Sequence, residues 1–146
     1  DFHEAGLNYK FVQDNQSSSR RGVLRGLHFQ KEHPQAKLVR VISGEVFDVA
    51  VDLRKDSPTF GQWHGVLLSE ENKKQFFIPK GFAHGVISLE DDTMIEYFAD
   101  SLYSPENDRS IRFDDETIGA KWPEIEYILS DKDKNAPSLK ESDCNF

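Results

Sequence analysis

The sequence contains little cysteine, no long apolar run and no excess of positive charge. One cysteine, Cys144, can form neither an internal disulfide nor a thiolate metal cluster, which is typical of a reducing cytoplasm. No run of about 18 apolar residues is present, and no charged-then-apolar leader is visible, so neither a membrane span nor secretion is expected. The net charge of −8 argues against binding of a nucleic acid polymer, because phosphate backbones demand a basic surface. We therefore expect a cytoplasmic protein without a membrane or nucleic acid partner.

Helical periodicity is also scarce, since no stretch longer than about two turns repeats its apolar residues at the helical period. Instead, short β-branched and aromatic segments alternate with turn residues, which predicts seven or eight strands after a turn or short helix over residues 1–10. We expect the last two strands to form a hairpin across residues 90–92. The predicted strands span residues 11–15, 22–30, 37–42, 45–53, 60–69, 75–78, 82–89 and 93–98.

This spacing of strands leaves no room for the crossover helices that a parallel sheet requires, so an all-β sandwich or barrel is expected. The length of 146 residues and the 37% apolar content fit one domain over residues 1–146. In the predicted strand 45–53, four apolar residues lie on one face and Asp48 and Asp52 lie on the other. After residue 99 the pattern predicts loops, with a short helical piece near the C-terminus.

The strand over residues 22–30 is apolar but carries Arg25, His28 and Gln30. Polar and charged groups on a buried strand cost free energy unless they are paired or functional, so this strand is a candidate for a site. Arg25 and His28 are three residues apart, and a regular strand would place them on opposite faces. Either Gly26 marks a bulge that rotates the register, or Arg25 reaches the site around an edge.

A second pattern, Pro79-Lys80-Gly81-Phe82-Ala83-His84, resembles the second motif of the cupins, jelly-roll barrels that often hold a metal. A metal site requires about three converging ligands. The strand that matches the first cupin motif supplies only His28, and His33 lies beyond it in a loop. We therefore expect a cupin-like double-stranded β-helix, or jelly roll, that works without a metal.

Several longer blocks of sequence resemble the dTDP-4-dehydrorhamnose 3,5-epimerase family, in one register from about residue 11 to residue 137. The resemblance implies a homodimeric jelly roll that inverts C3 and C5 of dTDP-4-dehydro-6-deoxy-D-glucose without a cofactor, in the synthesis of cell-surface polysaccharide. It also implies that this chain lacks an N-terminal segment of the family that crosses to the partner subunit. The matching blocks lie at residues 22–30, 37–41, 44–54, 57–63, 78–85 and 118–123.

The resemblance also implies roles for single residues, and the chemistry requires such roles. Inversion next to a ketone needs a base on one face, stabilisation of an enolate and an acid on the other face. By similarity His28 is the base, Asp133 orients it, Lys37 faces the ketone oxygen and Tyr103 delivers the proton to the opposite face. The remaining residues expected to contact substrate are Arg25, Gln13, Asn15, His84, Tyr97 and Lys132.

Three other functions remain open at this point. The same barrel could invert only C3 or only C5, or act as a ketoisomerase on a related nucleotide-linked sugar. A non-catalytic sugar-binding cupin is a second alternative, but binding alone does not need the acid–base set of His28, Lys37, Tyr103 and Asp133. A metal-dependent oxygenase or isomerase is the third, and the number of available ligands argues against it.

Overall fold

The computed structural model, which describes residues 10–32 and 34–142, contains nine strands that form two antiparallel sheets. The turn or helix expected over residues 1–10 therefore falls outside the described residues except for Lys10, and His33 and Cys144 fall outside them as well. A short 3-10 helix spans Pro105–Asn107 and one short helix, α1, spans Asp131–Lys134. The strands are β1 (Gln13–Ser19), β2 (Leu24–Gln30), β3 (Lys37–Ser43), β4 (Glu45–Asp52), β5 (Trp63–Ser69), β6 (Gln75–Ile78), β7 (Phe82–Ser88), β8 (Thr93–Ala99) and β9 (Asp108–Ser110).

The two sheets have the strand orders β1-β8-β3-β6 and β5-β4-β7-β2-β9. The cupin-like jelly roll with short helical pieces near the C-terminus is thereby confirmed. The hairpin expected from the last two predicted strands is wrong, because β7 and β8 belong to different sheets. The turn at residues 90–92 carries the chain across the sandwich, and each strand finds its partners among segments that are distant in sequence.

Two hydrophobic cores explain how this fold is stabilised. One lies between the sheets and includes Val39, Val46, Ile78 and Ile95. The other lies on the far face of the five-stranded sheet, where C-terminal residues such as Trp122 cover it. The five-stranded sheet is therefore buried on both faces, which the sequence pattern did not reveal.

This double burial changes the interpretation of β4. The alternation predicted from the sequence holds, since Val49, Val51 and Leu53 pack in the C-terminal core. The opposite face is not open to solvent, however, because the exposed fractions of Asp48 and Asp52 are 0% and 1%. Asp52 is satisfied by Arg54 and by neighbouring hydroxyl groups, whereas Asp48 lies next to a histidine described below.

Strand β1 is longer and more polar than predicted. The run Gln16-Ser17-Ser18-Ser19, which the sequence pattern assigns to a loop, pairs with β8 along its whole length. Its even-numbered residues are exposed, while the inner residues Gln13, Asn15, Ser17 and Ser19 are more buried. A strand whose inner face lines a polar cleft gives no apolar alternation, so tertiary pairing decides its length.

The C-terminal segment returns to the five-stranded sheet beside β2. The Leu24 amide donates to the Ile128 carbonyl oxygen at 3.0 Å, and the Ile128 amide donates to that of Gly22 at 2.8 Å. These bonds place α1 next to β2. A segment without periodicity in the sequence is thus held against the strand that carries Arg25 and His28.

Candidate active site

A histidine–carboxylate pair joins β2 to α1. His28 Nε2 donates to Asp133 Oδ1 at 2.6 Å, and the Gly26 amide donates to Asp133 Oδ2 at 3.2 Å. Burial by itself would raise the pKa of Asp133, which is 4% exposed, but its hydrogen bonds and the His28 charge lower the pKa overall. The ionised carboxylate fixes the protonated nitrogen of His28 at Nε2. Nδ1 is therefore the ring nitrogen that is available to accept a proton.

A register shift at Gly26 explains how Arg25 and His28 share one site. Arg25 pairs with Val86 and His28 pairs with His84, so the regular register of β2 against β7 is interrupted between them. Gly26 has a φ of +144°, and a Cβ at this position would lie 2.6 Å from the Gly85 Cα atom. The bulge alternative is therefore correct, and it requires glycine at position 26.

A polar cleft of about 320 Å³ opens beside the His28–Asp133 pair. Nζ of Lys37 lies 5.3 Å from the centre of the Tyr97 ring, so these two side chains are neighbours in the cleft. Burial lowers the pKa of Lys37, although the charges of Asp48 and Asp108 oppose this shift. Burial also raises the pKa of Tyr97, and the negative charge of Asp108 adds to the effect. The residues lining the cleft are Ser17, Arg25, His28, Phe29, Gln30, Gln35, Lys37, Tyr97, Tyr103 and Asp108.

His84 lies in a smaller cavity that adjoins the cleft and shares His28 and Lys37 with it. Its Nε2 atom is 2.7 Å from Oδ1 of the fully buried Asp48. His84 stands opposite His28 in the pairing of β2 with β7, so a second histidine–carboxylate contact lies beside the first, and Asp48 adds negative charge near Lys37.

Comparison with known proteins identifies the family of this arrangement. The family model for dTDP-4-dehydrorhamnose 3,5-epimerase matches residues 1–141. The chain belongs to the dTDP-4-dehydrorhamnose 3,5-epimerase family. The dTDP-4-dehydrorhamnose 3,5-epimerase of Methanothermobacter thermautotrophicus is 58% identical over 144 residues, which cover 97% of this chain and 78% of that protein. The resemblance seen in the sequence is confirmed, and with it the assignment to a family of isomerases.

Two solved structures of related epimerases have the same fold. The dTDP-6-deoxy-D-glucose-3,5-epimerase of Legionella pneumophila, in complex with dTDP-4-keto-L-rhamnose, is 50% identical with a TM-score of 0.93, and the match covers 97% of this chain and 76% of that one. A 3'-monoepimerase from Streptomyces bikiniensis is 34% identical with a TM-score of 0.88, over 94% of this chain and 71% of that one. The latter is a double mutant of one histidine and one tyrosine in complex with dTDP. The fold of this epimerase family is therefore well matched by the described residues.

The predicted substrate contacts Gln13, Asn15 and Lys132 do not line the cleft themselves, but they bond to one another or to residues that line it. Gln13 and Asn15 share the inner face of β1, where Gln13 Nε2 donates to Asn15 Oδ1 at 3.1 Å. Lys132 forms an ion pair with Asp108, which lines the cleft. Tyr103 lines the cleft from a loop and is 53% exposed.

The structure brings to the site residues that the sequence analysis did not select as site residues, namely Gln30, Gln35, Asp48 and Asp108. Gln30 was noted only as a polar residue of the candidate strand, although it follows His28 by two positions and so shares its side of the strand. The other three gave no signal, since Gln35 and Asp108 stand in segments read as loop and Asp48 lies on the polar face of its strand. Among residues 10–32 and 34–142, no three histidine, cysteine or carboxylate side chains are grouped as a metal ion would require. In the same range, no helix is suited to crossing a membrane.

Proposed function

We propose that this chain inverts C3 and C5 of dTDP-4-dehydro-6-deoxy-D-glucose to give dTDP-4-dehydro-L-rhamnose, without a cofactor. The proposal rests on the hydrogen bond between His28 and the buried Asp133 carboxylate. His28 lines the same cleft as Lys37 and two tyrosines. The identity of 58% to a named 3,5-epimerase supports inversion at both carbons over inversion at one, since the 3'-monoepimerase is only 34% identical.

His28 is the proposed base. A carbon next to a ketone becomes acidic when the enolate that forms is stabilised, and a neutral imidazole has a suitable basicity for removing its proton near pH 7. Asp133 stabilises the imidazolium that results, because the carboxylate lies 2.6 Å from the ring nitrogen. Lys37 stabilises the enolate oxygen, since a cation in a cleft shielded from water interacts strongly with developing negative charge.

Two tyrosines are candidates for the acid on the opposite face, and the sequence hypothesis chose Tyr103. The geometry favours Tyr97, because it projects from β8 and its ring centre lies 5.3 Å from Nζ of Lys37. Tyr103 stands on a loop and is more exposed. The sequence separation of the mutated histidine and tyrosine in the Streptomyces protein differs by one position from that of His28 and Tyr97, but by five from that of His28 and Tyr103. We therefore propose Tyr97 as the acid.

The nucleotide end of the substrate would lie along the outer part of the cleft. Arg25 donates to Ser19 at 3.1 Å and lines the cleft, so its guanidinium is placed to meet a diphosphate. Lys132 supplies a second cation at the rim. These local cations allow a chain with a net charge of −8 to bind an anionic nucleotide.

Three broader expectations belong to the same proposal. We propose one jelly-roll domain over residues 1–146 that acts as a homodimer, as the family resemblance implies, which light scattering of the purified protein would measure. We also propose a cytoplasmic location, since one cysteine in 146 residues fits a reducing compartment.

The decisive experiment is incubation with dTDP-4-dehydro-6-deoxy-D-glucose in deuterated water. Deuterium at both C3 and C5, with the L-rhamno product detected by NMR, is expected. Label at one carbon only would indicate a single-position epimerase. Binding without any exchange of label would indicate a non-catalytic sugar-binding cupin.

A further inference from the structure

The loop that carries Tyr103 is held by side-chain amides rather than by a strand. Gln30 Nε2 donates to the Leu102 carbonyl oxygen at 3.3 Å, and Gln30 Oε1 accepts from the Ser104 amide at 2.8 Å. Gln30 therefore bonds to the residue before Tyr103 and to the residue after it. In this way one side chain provides the donor and the acceptor that a neighbouring strand would otherwise supply.

Two further glutamines hold the same loop. The Tyr103 amide donates to Gln13 Oε1 at 2.7 Å, and Gln35 Nε2 donates to the Ser101 carbonyl oxygen at 2.8 Å. Every residue from 101 to 104 thus has a backbone group bonded to a glutamine. Among these glutamines, Gln30 alone makes two bonds to the loop in the described part of the chain, and it is 4% exposed. A buried amide whose donor and acceptor are both used fixes a loop more firmly than an exposed one.

Gln30 also connects the loop to the catalytic base. It lies two residues after His28 on β2, and both side chains line the cleft. One short piece of strand therefore carries the proposed base and holds the loop on which Tyr103 stands. The distance between His28 and the Tyr103 loop is therefore set by the Gln30 bonds, and does not depend on the longer connection through β3 to β8.

We infer that Gln30 is a positioning residue, which acts on the reaction by holding the 101–104 loop so that Tyr103 stays at the cleft. This inference rests on the proposed function for its kinetic readout, and it makes no assumption about which step Tyr103 serves. Because displacement of a contributing group by about 1 Å can cost as much as 10²-fold in rate, loss of Gln30 should be visible in turnover.

A double-mutant cycle tests the inference, with Gln30→Met, Tyr103→Ala and the double variant. Gln30→Met keeps the length of the side chain but removes both bonds, and we expect kcat/KM to fall about 10- to 100-fold. The fall should appear in the same parameter, kcat or KM, that Tyr103→Ala alone changes. When Tyr103 is already alanine, adding Gln30→Met should cost less than about threefold, since its effect passes through that ring. Gln62→Met, the same change at an exposed residue of the described chain, is the matched control.

Equal losses from Gln30→Met in both backgrounds would overturn the inference, because Gln30 would then contact the substrate or support the fold in general. Amide hydrogen exchange gives a second readout that needs no substrate, so it remains informative even if the proposed activity is not found. In Gln30→Met, exchange in the peptide that contains residues 101–104 should become faster, while exchange in β4 should stay unchanged. Unchanged exchange in the loop, or faster exchange throughout, would contradict the inference. If Gln30→Met does not fold, Gln30→Glu keeps the volume of the side chain and loses the donor to Leu102, and the same two measurements apply.

Discussion

His28 and Asp133 are 105 positions apart in the sequence, and they share a hydrogen bond of 2.6 Å. The contact depends on two separate features, the register shift at Gly26 and the return of the C-terminal segment along β2. The carboxylate also accepts from the Gly26 amide, so the same residue that rotates the register helps to hold the carboxylate that binds His28. The backbone of β2 thus positions both His28 and the carboxylate that binds it.

The first prediction concerns this pair. His28→Asn should abolish the exchange of substrate C–H protons with deuterated water, because the base is lost. Asp133→Asn should slow exchange about 10²- to 10⁴-fold, since the base remains without its orienting carboxylate. Asp131→Asn, at an exposed position of the same short helix, is the control and should exchange at the wild-type rate. Exchange at the wild-type rate in His28→Asn would show that another group is the base.

The second prediction separates the two tyrosines. Tyr97→Phe should allow deuterium exchange but little inversion, because the enolate still forms and is reprotonated from the side of His28. Tyr103→Phe should still invert the sugar. The ratio of inverted product to exchanged substrate, measured by NMR, distinguishes the two variants. If Tyr103→Phe exchanges without inversion and Tyr97→Phe inverts normally, the acid is Tyr103, as the sequence hypothesis stated.

The third prediction concerns the cost of burying Lys37. Burial lowers its pKa from the ordinary value of 10.5, so the unfolded chain binds more protons between the folded and unfolded pKa values. The Lys37 contribution to the free energy of unfolding should therefore rise with pH across that window. Lys37→Met should raise the free energy of unfolding at pH 7, because burial of the ammonium is the largest cause of its lowered pKa. It should also lower kcat at least about 10²-fold, because the enolate loses its cation.

Urea unfolding at pH 7 and pH 10 checks this prediction, with Lys55→Met as the control at an exposed position. The difference in stability between Lys37→Met and wild type should shrink at pH 10, whereas Lys55→Met should show little change at either pH. If Lys37→Met is instead less stable than wild type at pH 7, the prediction is wrong. Asp48 and Asp108 would then stabilise the Lys37 ammonium more than burial destabilises it.

A fourth prediction follows from the geometry at Gly26. Gly26→Ala should lower the free energy of unfolding by about 2–4 kcal/mol, because its Cβ would lie 2.6 Å from the Gly85 Cα atom. Gly61→Ala is a suitable control, since it also has a positive φ but no atom within 4 Å of the added Cβ. Gly61→Ala should lower the free energy of unfolding by about 1–2 kcal/mol, because only its backbone conformation is unfavourable. Thermal or urea unfolding measures both variants. An equal loss of stability in the two would show that β7 moves away from the added Cβ at position 26 without a measurable loss of stability.

The fifth prediction tests the cofactor-free mechanism. Exhaustive treatment with EDTA should leave kcat and KM unchanged, because no three histidine, cysteine or carboxylate side chains among residues 10–32 and 34–142 are grouped as a metal ion would require. Loss of turnover in EDTA that a divalent ion restores would require a metal in the mechanism. Activity is measured before and after dialysis against metal-free buffer.

The sequence alone allowed most of the fold and part of the site to be predicted. Strands such as 37–42 and 75–78 were placed almost to the residue, because apolar alternation and turn residues are local properties of the chain. His28 was found because a titratable group on an apolar strand is unusual. Asp133 was assigned only through the family resemblance, since nothing in its local sequence distinguishes it from other acidic residues.

Only the tertiary structure decided which distant segments meet. The polar strand β1, the separation of β7 and β8 into different sheets, and the hold of Gln30 on the Tyr103 loop all depend on pairing between segments far apart in sequence. Such pairing is set by the total burial and hydrogen bonding of the folded chain, and no short window of sequence contains that information. The sequence thus determined the fold class and pointed to His28, whereas the packing of the two sheets and the C-terminal segment determined which carboxylate binds His28 and the shape of the cleft beside it.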